Sequence, residues 1–295
     1  MKQLYDILPQ NLIFENEPMK GHTTFRIGGN ADVLVIPESV EQLKAILDFG
    51  KTKSIPVTII GNGSDLLVSD EGIRGIVIKT MGMSEITSDG NVITAGAGAL
   101  LSKTASYALS LGLTGMEFAH GIPGTVGGGV YMNAGAYGGE LKDIIVKTTY
   151  LDVDGQVKTC TDHEFGYRKS IYSRCNDRIV LSATFQLQPG DKTAIEARMT
   201  ELAQARRSKQ PIEMPSAGSV FKRPEGYFAG KLVEDCGLRG FAIGGAQVSE
   251  KHCGFIVNKG GATAKDVLDL IEHIQNEVYN KFSVKLETEV KYIGG

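Results

Sequence analysis

Glycine is the residue type that points most directly to a ligand in this chain. It makes up 37 of the 295 residues, against a usual ~7%, and it is concentrated in runs. The first run, GNGSD at 61–65, follows an apolar stretch at 57–60. A strand that ends in such a run leaves successive N–H groups facing one concavity, where a phosphate can bind. The third glycine and the following helix of a dinucleotide fingerprint are missing, so an ordinary turn is the alternative.

The second run, GIPGTVGGG at 121–129 with NAGAYGG at 133–139, contains more glycine than a hairpin needs. Such backbone loses much conformational entropy on folding, so it indicates close approach to a ligand. Two separated glycine loops predict a ligand lying along a groove, and the small residues at 134–136 leave room for a flat ring system. A compact loop at a domain junction is the alternative.

Three further side chains have types that suit proton transfer or anion binding. Arg168 lies in a predicted turn after a strand pair, where most arginines are simply solvated. Ser219 follows a glycine and precedes two cations, so its hydroxyl could donate a proton or bind an anion, although a capping or turn serine is the alternative. Glu289 lies on the polar face of a predicted strand, and alternation does not distinguish it from Glu287.

Composition argues against several other functions. With 31 Lys+Arg against 34 Asp+Glu the net charge is -3, which provides no basic surface for bulk nucleic acid or an anionic membrane. The five histidines and four cysteines have no metal-ligand spacing, so no metal site is predicted. Free thiols, together with no signal-peptide pattern and no membrane-spanning apolar stretch, predict a cytoplasmic protein without membrane insertion that binds small molecules.

Apolar periodicity places these residues on a mixed set of elements. Strands are predicted at 32–36, 57–60, 75–78, 178–187 and 284–293, with hairpin turns at Asp89-Gly90 and Asp154-Gly155. A helix is predicted after Ser39, with Gln42 in capping-box position, and further helices at 100–111, 192–209, 227–236 and 263–281. The texture changes near 191, where a domain boundary is predicted between 190 and 197.

Six motifs, taken in order, resemble the UDP-N-acetylenolpyruvoylglucosamine reductase family, flavoenzymes of peptidoglycan synthesis. They are TTFRIGG at 23–29, GNGSDLL at 61–67, the glycine run at 121–139, GYR at 166–168, GSVFK at 218–222 and LETEV at 286–290. The resemblance covers about residues 20–293 and its motifs are highly specific.

The resemblance implies an α+β fold with two domains. An FAD-binding module of the vanillyl-alcohol oxidase and p-cresol methylhydroxylase type would cover 1–195, with lobes at about 1–80 and 81–195. A C-terminal α+β substrate-binding domain would cover 196–295, and its last strand would return toward the flavin.

The resemblance also implies roles for individual residues. The catalytic arginine falls on Arg168, the proton-donating serine on Ser219 and the glutamate on Glu289. The FAD contacts fall on Arg26, Gly61, Asn62, Gly63, Ser64, Asp65, Leu66, Gly121, Pro123, Gly124, Thr125, Gly127, Gly128, Asn133, Ala134, Gly135 and Ala136. Candidates for the phosphates of a UDP-sugar are Arg206, Lys209, Lys222 and Arg223, with His252 and Asn258 as weaker ones.

The chain departs from the family pattern in a few places. The interval from Arg168 to Ser219 leaves no room for an inserted loop with a tyrosine, which implies the shorter subgroup that lacks it. Asp65 stands where the family has Asn, so an amide donor is replaced by a carboxylate near the predicted phosphate site. Gly129 replaces a usual Ala, and Arg223 replaces an Asn of the longer subgroup.

The implied reaction reduces UDP-N-acetylglucosamine enolpyruvate to UDP-N-acetylmuramate. NADPH recharges FAD in a ping-pong cycle, and hydride passes from flavin N5 to the vinyl carbon. Arg168 would clamp the substrate carboxylate as charge develops there. Ser219 would protonate the adjacent carbon, while Glu289 would assist if protonated or by orienting Arg168 or water. A monomer is expected.

Two other functions fit parts of this pattern. An FAD oxidase of the same fold would act on another substrate, and its flavin would often be linked covalently through a histidine such as His22 or His120. A non-catalytic nucleotide-sugar binding protein would need the glycine loops but not Arg168, Ser219 and Glu289.

Overall fold

Helices lie largely where apolar periodicity predicts them. The computed structural model describes residues 2–175 and 177–295. Its α-helices are α1 Val40–Lys53, α2 Leu101–Ser110, α3 Val126–Met132, α4 Ile171–Arg174, α5 Lys192–Lys209, α6 Ala229–Asp235 and α7 Ala264–Phe282. Short 3-10 helices lie at Lys2–Asp6, Gln10–Leu12, Met19–Gly21, Thr80–Gly82, Glu117–Ala119 and Leu141–Asp143.

Helix caps follow from residue type at the predicted positions. The Ser39 side chain accepts a hydrogen bond from the Gln42 N–H at the start of α1 (3.2 Å). Gln42 reaches back to the N–H of Glu38, one residue earlier than the predicted capping box requires. At the start of α7, Thr263 and Asp266 satisfy each other's backbone N–H groups in a complete capping box.

The strands form several small sheets. Their bounds are β1 Ile13–Pro18, β2 Asn30–Val35, β3 Val57–Ile60, β4 Leu66–Val68, β5 Ile73–Lys79, β6 Ile86–Asp89, β7 Val92–Gly96, β8 Leu113–Thr114, β9 Gly135–Ala136, β10 Gly139–Glu140, β11 Ile145–Leu151, β12 Val157–Cys160, β13 Ile179–Gln186, β14 Gln188–Pro189, β15 Ala242–Ile243, β16 Ala246–Val248, β17 Ile256–Asn258 and β18 Lys291–Ile293. The sheet orders are β1-β2-β5-β3, β12-β11-β13-β7-β6 and β15-β16-β17, with the pairs β10-β9, β14-β8 and β18-β4. Both predicted hairpins are confirmed as antiparallel pairs, β6 with β7 and β11 with β12.

The chain forms two compact units, each built from three segments. Unit 1 comprises Met1–Phe14, Leu34–Asn62 and Val77–Ala205. Unit 2 comprises Glu15–Val33, Gly63–Ile76 and Arg206–Gly295. The predicted domain division at 195/196 is a statement about functional domains and stays a prediction.

Unit 1 has its own hydrophobic core. Apolar side chains of β7 and β13 pack with α2 and α3, and Tyr172 and Phe185 are the largest fully buried side chains among them. Every fully buried member of this cluster lies between Ile93 and Met199. This core therefore supports the elements that carry the second glycine run and Arg168.

Unit 2 has a second core centred on α7. The apolar stripe of α7 buries Val267, Leu270, Ile271, Ile274 and Val278, and Leu268 is partly buried against the same cluster. Val220 and Phe221 pack in the same cluster, as do residues 25, 27 and 67. The segment around Ser219 is thus held by buried apolar neighbours on its C-terminal side.

Two predictions about secondary structure are wrong. The strand predicted at 284–293 exists only as β18, because residues 284–287 bury alternate side chains without joining a sheet and Thr288 makes one isolated bridge with Phe221. Tyr292 in β18 is exposed. The run at 121–129, predicted as loop, continues into α3 from Val126.

Candidate functional site

The start of the first glycine run contacts the middle of the second run within unit 1. The Asn62 side-chain amide donates a hydrogen bond to the Pro123 carbonyl (2.7 Å). Gly61 packs so tightly against the Thr125 hydroxyl that an added Cβ would overlap it. The start of the first run and the middle of the second therefore form one continuous stretch of close-packed backbone.

Thr125 explains why a helix begins inside a glycine run. Its hydroxyl accepts from the Gly128 N–H at the start of α3 (3.4 Å), and its backbone bridges to Leu100. A Cβ on Gly127 would lie 3.0 Å from the Ala97 side chain, and one on Gly129 would lie 2.9 Å from Leu141. These two glycines are thus required by packing within the protein, while Gly121 and Pro123 are exposed.

The remainder of the first run belongs to unit 2. Its residues are Gly63, Ser64, Asp65 and Leu66. Gly63 has φ +66° and its carbonyl accepts from the Thr24 N–H (3.2 Å). The Asp65 carbonyl accepts from the Lys291 N–H (2.9 Å), and Leu66 starts β4, which pairs in parallel with β18. The sequence motif therefore straddles the two units rather than forming one isolated loop.

Residues 133–136 leave α3 through a tightly bonded turn. Asn133 is fully buried in a left-handed conformation, φ +45°. Its amide donates to Glu140 Oε2 and to the Gly166 carbonyl (both 3.0 Å), and its carbonyl oxygen accepts from the Lys142 N–H (3.0 Å). The Ala134 N–H donates to the Gly129 carbonyl (2.8 Å). The Asn133 side chain thus hydrogen-bonds to neighbouring protein groups. An Asn directly after a helix is a sequence signal for such a left-handed cap.

Arg168 projects from a two-residue turn that residues Gly166 and Lys169 close by mutual backbone hydrogen bonds (3.0 and 3.2 Å). It has φ +53°, a region that non-glycine residues rarely adopt. Its guanidinium lies 5.0 Å from the ring centroid of the exposed Tyr167. A strained backbone that retains a large side chain suggests that the side chain itself is needed.

The surroundings of Arg168 are anionic on one side. The pKa of Glu140 is lowered mainly by its hydrogen bond with Lys142, and the charge of Arg168 also contributes. Lys142 Nζ lies 2.6 Å from Glu140 Oε2. Glu140 is therefore ionised at neutral pH, and its charge is shared between the Lys142 ammonium, the Asn133 amide and the Arg168 guanidinium.

Ser219 and Glu289 are brought together within unit 2. The half-buried Ser219 hydroxyl donates to the carbonyls of Phe221 (3.3 Å) and Gly254 (3.4 Å). The adjacent Val220 donates its N–H to the Gly254 carbonyl (2.9 Å), and its carbonyl accepts from the Glu289 N–H (2.8 Å). Both hydroxyl contacts are long, so the Ser219 proton is loosely held.

The structure separates the two glutamates that alternation left equivalent. Glu287 pairs with Lys222 (3.1 Å) and its side chain is 76% exposed. Glu289 is half-buried, and its backbone is fixed beside the segment that carries Ser219.

The remaining candidate cations are more exposed. Arg206 and Lys209 lie in the last turn of α5, and Lys209 is exposed. Arg223 stacks on the exposed Phe228, with 4.0 Å from its guanidinium carbon to the ring centroid, and its Nε donates to the Tyr227 carbonyl (3.3 Å). Lys209 and Arg223 thus lie at the surface of unit 2, whereas Arg206 is half-buried.

Asn258, a predicted phosphate contact, is buried and hydrogen-bonded to protein backbone. It is 7% exposed. Its amide donates to the carbonyls of Phe25 (3.1 Å) and Arg26 (3.4 Å), and its oxygen accepts from the N–H groups of Gly260 (2.9 Å) and Ala262 (3.2 Å). Because its polar atoms are used by backbone groups, Asn258 fixes the segment of Arg26, which is itself exposed with φ +56°.

His252 lies beside Ser219 but faces the backbone. Its Nδ1 accepts from the Gly254 N–H (3.0 Å), and burial lowers its pKa. The ring is therefore neutral at pH 7, with the proton on Nε2.

Within residues 2–175 and 177–295, no group of three or more His, Cys, Asp or Glu side chains is arranged to hold a metal ion. Across the same residues, none of the helices has the length and apolar character needed to cross a bilayer.

Comparison with known proteins identifies the family. Residues 31–161 match an FAD binding domain, and residues 210–293 match the UDP-N-acetylenolpyruvoylglucosamine reductase C-terminal domain. The UDP-N-acetylenolpyruvoylglucosamine reductase of Agathobacter rectalis is 53% identical, with 100% of this chain and 98% of that protein covered. That of Pediococcus pentosaceus is 50% identical, covering 99% and 98%.

Structural similarity agrees with the sequence relatives. The crystal structure of UDP-N-acetylenolpyruvylglucosamine reductase from Thermus caldophilus superposes with a TM-score of 0.80 at 37% identity, covering 95% of this chain and 97% of that one. The predicted α+β class, with an FAD-binding domain followed by a C-terminal domain, is confirmed. The chain belongs to the UDP-N-acetylenolpyruvoylglucosamine reductase family.

Proposed function

We propose that this protein uses NADPH and FAD to reduce UDP-N-acetylglucosamine enolpyruvate to UDP-N-acetylmuramate in peptidoglycan synthesis. The observation that carries the proposal is likeness over the whole chain, 53% identity with 100% coverage, to a protein named for this reduction. Arg168, Ser219 and Glu289 stand at the three positions to which the sequence resemblance assigns catalytic roles.

FAD fits the residues that are present. The close contact of Gly61 and Asn62 with Thr125 and Pro123 builds a surface of backbone and small side chains that an added Cβ would disrupt. Such a surface suits a pyrophosphate, which needs N–H donors and close approach. When bound, FAD would supply the hydride to the substrate, and NADPH would reduce the flavin again. We assign the pyrophosphate to 61–65 and 121–128, and the rest of the flavin site to Arg26 and 133–136.

Arg168 is proposed to hold the substrate carboxylate. Hydride addition to the vinyl carbon places negative charge on that carboxylate, as an enolic dianion. A preorganised guanidinium stabilises this charge more than the ground state, and its planar fork matches two oxygens. The left-handed backbone of Arg168 in its closed turn supports this role because it fixes the direction of the side chain.

Ser219 is proposed to donate the proton to the carbon next to the carboxylate. A neutral hydroxyl is a weak acid, so this works only toward a strongly basic carbon held in fixed geometry. The two long hydrogen bonds of its hydroxyl, 3.3 and 3.4 Å, support the role because little is lost when the proton turns to the substrate.

Glu289 is proposed to assist beside Ser219. An ionised carboxylate next to the dianion would oppose the reaction, so Glu289 assists either as a neutral acid or by orienting Arg168 or a water molecule. The backbone hydrogen bond from Glu289 to Val220 (2.8 Å) supports this assignment over the solvated Glu287.

The diphosphate of the substrate is assigned to Arg206, Lys209, Lys222 and Arg223. Lys222 is partly neutralised by Glu287, and Arg223 is preorganised by stacking on Phe228. Arg223 is therefore expected to contribute more to binding than Lys222.

The test is Ser219→Ala in separated half-reactions. We expect flavin content and NADPH-driven bleaching of the flavin to be unchanged, and reoxidation by UDP-N-acetylglucosamine enolpyruvate to slow by about 10²–10⁴-fold. Stopped-flow absorbance under anaerobic conditions measures both steps. Ser216→Ala, a half-buried serine of the same segment, is the control and should react normally. Unaltered reoxidation in Ser219→Ala would remove the serine from the mechanism, and a wild-type protein that this substrate does not reoxidise would refute the proposed function.

A further inference from the structure

A buried polar cluster lies at the base of the loop that carries Arg168. We define the Arg168 loop as residues 163–171 and the Thr148 cluster as Thr148, His163 and Tyr172. Thr148 and Tyr172 are 0% exposed and His163 is 5% exposed. None of its three members belongs to a motif of the family resemblance. His163 begins the Arg168 loop and Tyr172 directly follows it.

A single hydroxyl holds both ends of the Arg168 loop. Thr148 on β11 is hydrogen-bonded to His163 Nε2 (3.0 Å), at the start of the loop, and to the Tyr172 hydroxyl (2.5 Å), directly after its end. The Ile171 N–H also donates to the His163 carbonyl (2.8 Å). The ends of the loop are therefore closed on each other and tied to the sheet.

The groups of the Thr148 cluster are uncharged at pH 7. Burial lowers the pKa of His163, so its ring is neutral. Burial raises the pKa of Tyr172, so its hydroxyl keeps its proton. The Thr148 hydroxyl is the buried hydrogen-bond partner that both groups share.

Stacking and backbone contacts extend this support to the turn itself. The rings of His163 and Phe165 are stacked at 4.8 Å between centroids. The Gly166 carbonyl accepts from the Asn133 amide (3.0 Å), and the Ser170 hydroxyl donates to the Tyr131 carbonyl (2.8 Å). The loop is thus hydrogen-bonded to α3 and the residue that follows it on both sides of Arg168, at Gly166 and at Ser170.

We propose that the Thr148 cluster is a positioning device for Arg168, in which the Thr148 hydroxyl fixes the loop so that the guanidinium is held where the substrate carboxylate binds. The inference rests on the proposed catalytic role of Arg168. Without the hydroxyl, His163 Nε2 and the Tyr172 hydroxyl lose their shared buried partner, and buried groups left unpaired will rearrange. A displacement of about 1 Å in a catalytic group is enough to lower a rate by about 100-fold.

The experiment compares Thr148→Val, which keeps the shape and removes the hydroxyl, with Thr148→Ser, which keeps the hydroxyl. Thr184→Val is the matched control. Thr184 lies on β13, next to the strand β11 that carries Thr148, and its buried hydroxyl is hydrogen-bonded to that of Thr94 (3.2 Å). We expect Thr148→Val to lower kcat by about 10–100-fold with little change in KM. Thr148→Ser should stay within about threefold of wild type, since the hydrogen bonds survive, and Thr184→Val should leave kcat unchanged.

Hydrogen exchange of the FAD-loaded protein gives a readout that does not depend on turnover. The N–H groups of Gly166 and Lys169 should exchange faster in Thr148→Val and at the wild-type rate in Thr184→Val. Tyr172→Phe, which keeps the ring and removes one bond of the Thr148 cluster, should show a smaller change in the same direction and serves if Thr148→Val does not fold. Unchanged exchange in these variants would overturn the proposal.

A double-mutant cycle separates this inference from the proposed function. In an Arg168→Lys background, Thr148→Val should lower kcat by no more than about twofold, because its effect passes through Arg168. Equal losses of kcat in both backgrounds would show that the Thr148 cluster does not act through Arg168. Full activity of Arg168→Lys and Arg168→Ala would instead refute the proposed role of the arginine, whatever the exchange data show about the loop.

Discussion

Replacing Asn258 tests whether this buried amide supports the fold of unit 2 or contacts the substrate. In Asn258→Ala the carbonyl of Phe25 and the N–H of Ala262 lose their partners in buried surroundings. Each such group costs about 1–2 kcal/mol when left unpaired. The partners at Arg26 and Gly260 are only part-buried, so water replaces the lost bonds there for a few tenths of a kcal/mol. The expected loss of unfolding free energy is roughly 3 kcal/mol.

Urea unfolding followed by circular dichroism measures this loss of stability. The KM for the UDP-sugar tests the alternative, that Asn258 contacts the substrate. We expect a thermal midpoint lower by about 6–10 °C and an unchanged KM at temperatures where the variant is folded. Gln247→Ala is the comparison, because Gln247 lies on the neighbouring strand β16 and donates one hydrogen bond, to the Gly240 carbonyl (2.8 Å). A variant Asn258→Ala that is as stable as wild type but has a KM raised tenfold would show that Asn258 binds substrate.

Two further predictions concern the glycine contact and the buried histidines. Gly61→Ala should lower the flavin-to-protein absorbance ratio after purification, because the new methyl group overlaps the Thr125 hydroxyl, whereas Gly21→Ala, with open space around it, should leave that ratio unchanged. Stability should fall as pH is lowered from about 6.5 to 5, because the unfolded chain protonates its histidines near pH 6.5 while burial keeps His163 and His252 neutral in the folded state. The free energy of unfolding, measured with urea at each pH, should fall less steeply with decreasing pH in His163→Gln than in wild type. An equal pH dependence in both proteins would contradict the assignment of His163 as a neutral buried histidine.

Local pattern predicted most elements because cap and turn residues agree with the apolar spacing. The turns at Asp89-Gly90 and Asp154-Gly155 and the full extent of α5 are examples. It failed at 284–290, where Leu286 and Val290 are buried but the backbone pairs with the segment at 220–222 through an isolated bridge only, at Thr288. Alternation reports which side chains are buried, and it does not report the hydrogen-bond partners of the backbone.

The site was predictable in composition but not in geometry. The helix α3 was missed because glycine disfavours helices, although Thr125 is an ordinary N-cap residue. The strained φ of Arg168, the choice of Glu289 over Glu287 and the use of Asn258 by backbone groups all depend on residues far away in sequence. The roles of Thr148 and Tyr172 were not predicted, because buried polar residues have no local sequence signature.

The second core combines segments that lie far apart in the sequence, and this has a consequence for folding during biosynthesis. Phe25, Ile27 and Leu67 pack with side chains that begin at Ala217. At 5–20 residues per second, the ribosome needs roughly 8–40 s to synthesise the chain between these residues and their partners. The first core needs only residues between Ile93 and Met199 and can condense in that interval. Nascent chains should therefore expose an early apolar stretch beside an already folded portion, which makes them clients for a chaperone at the exit tunnel.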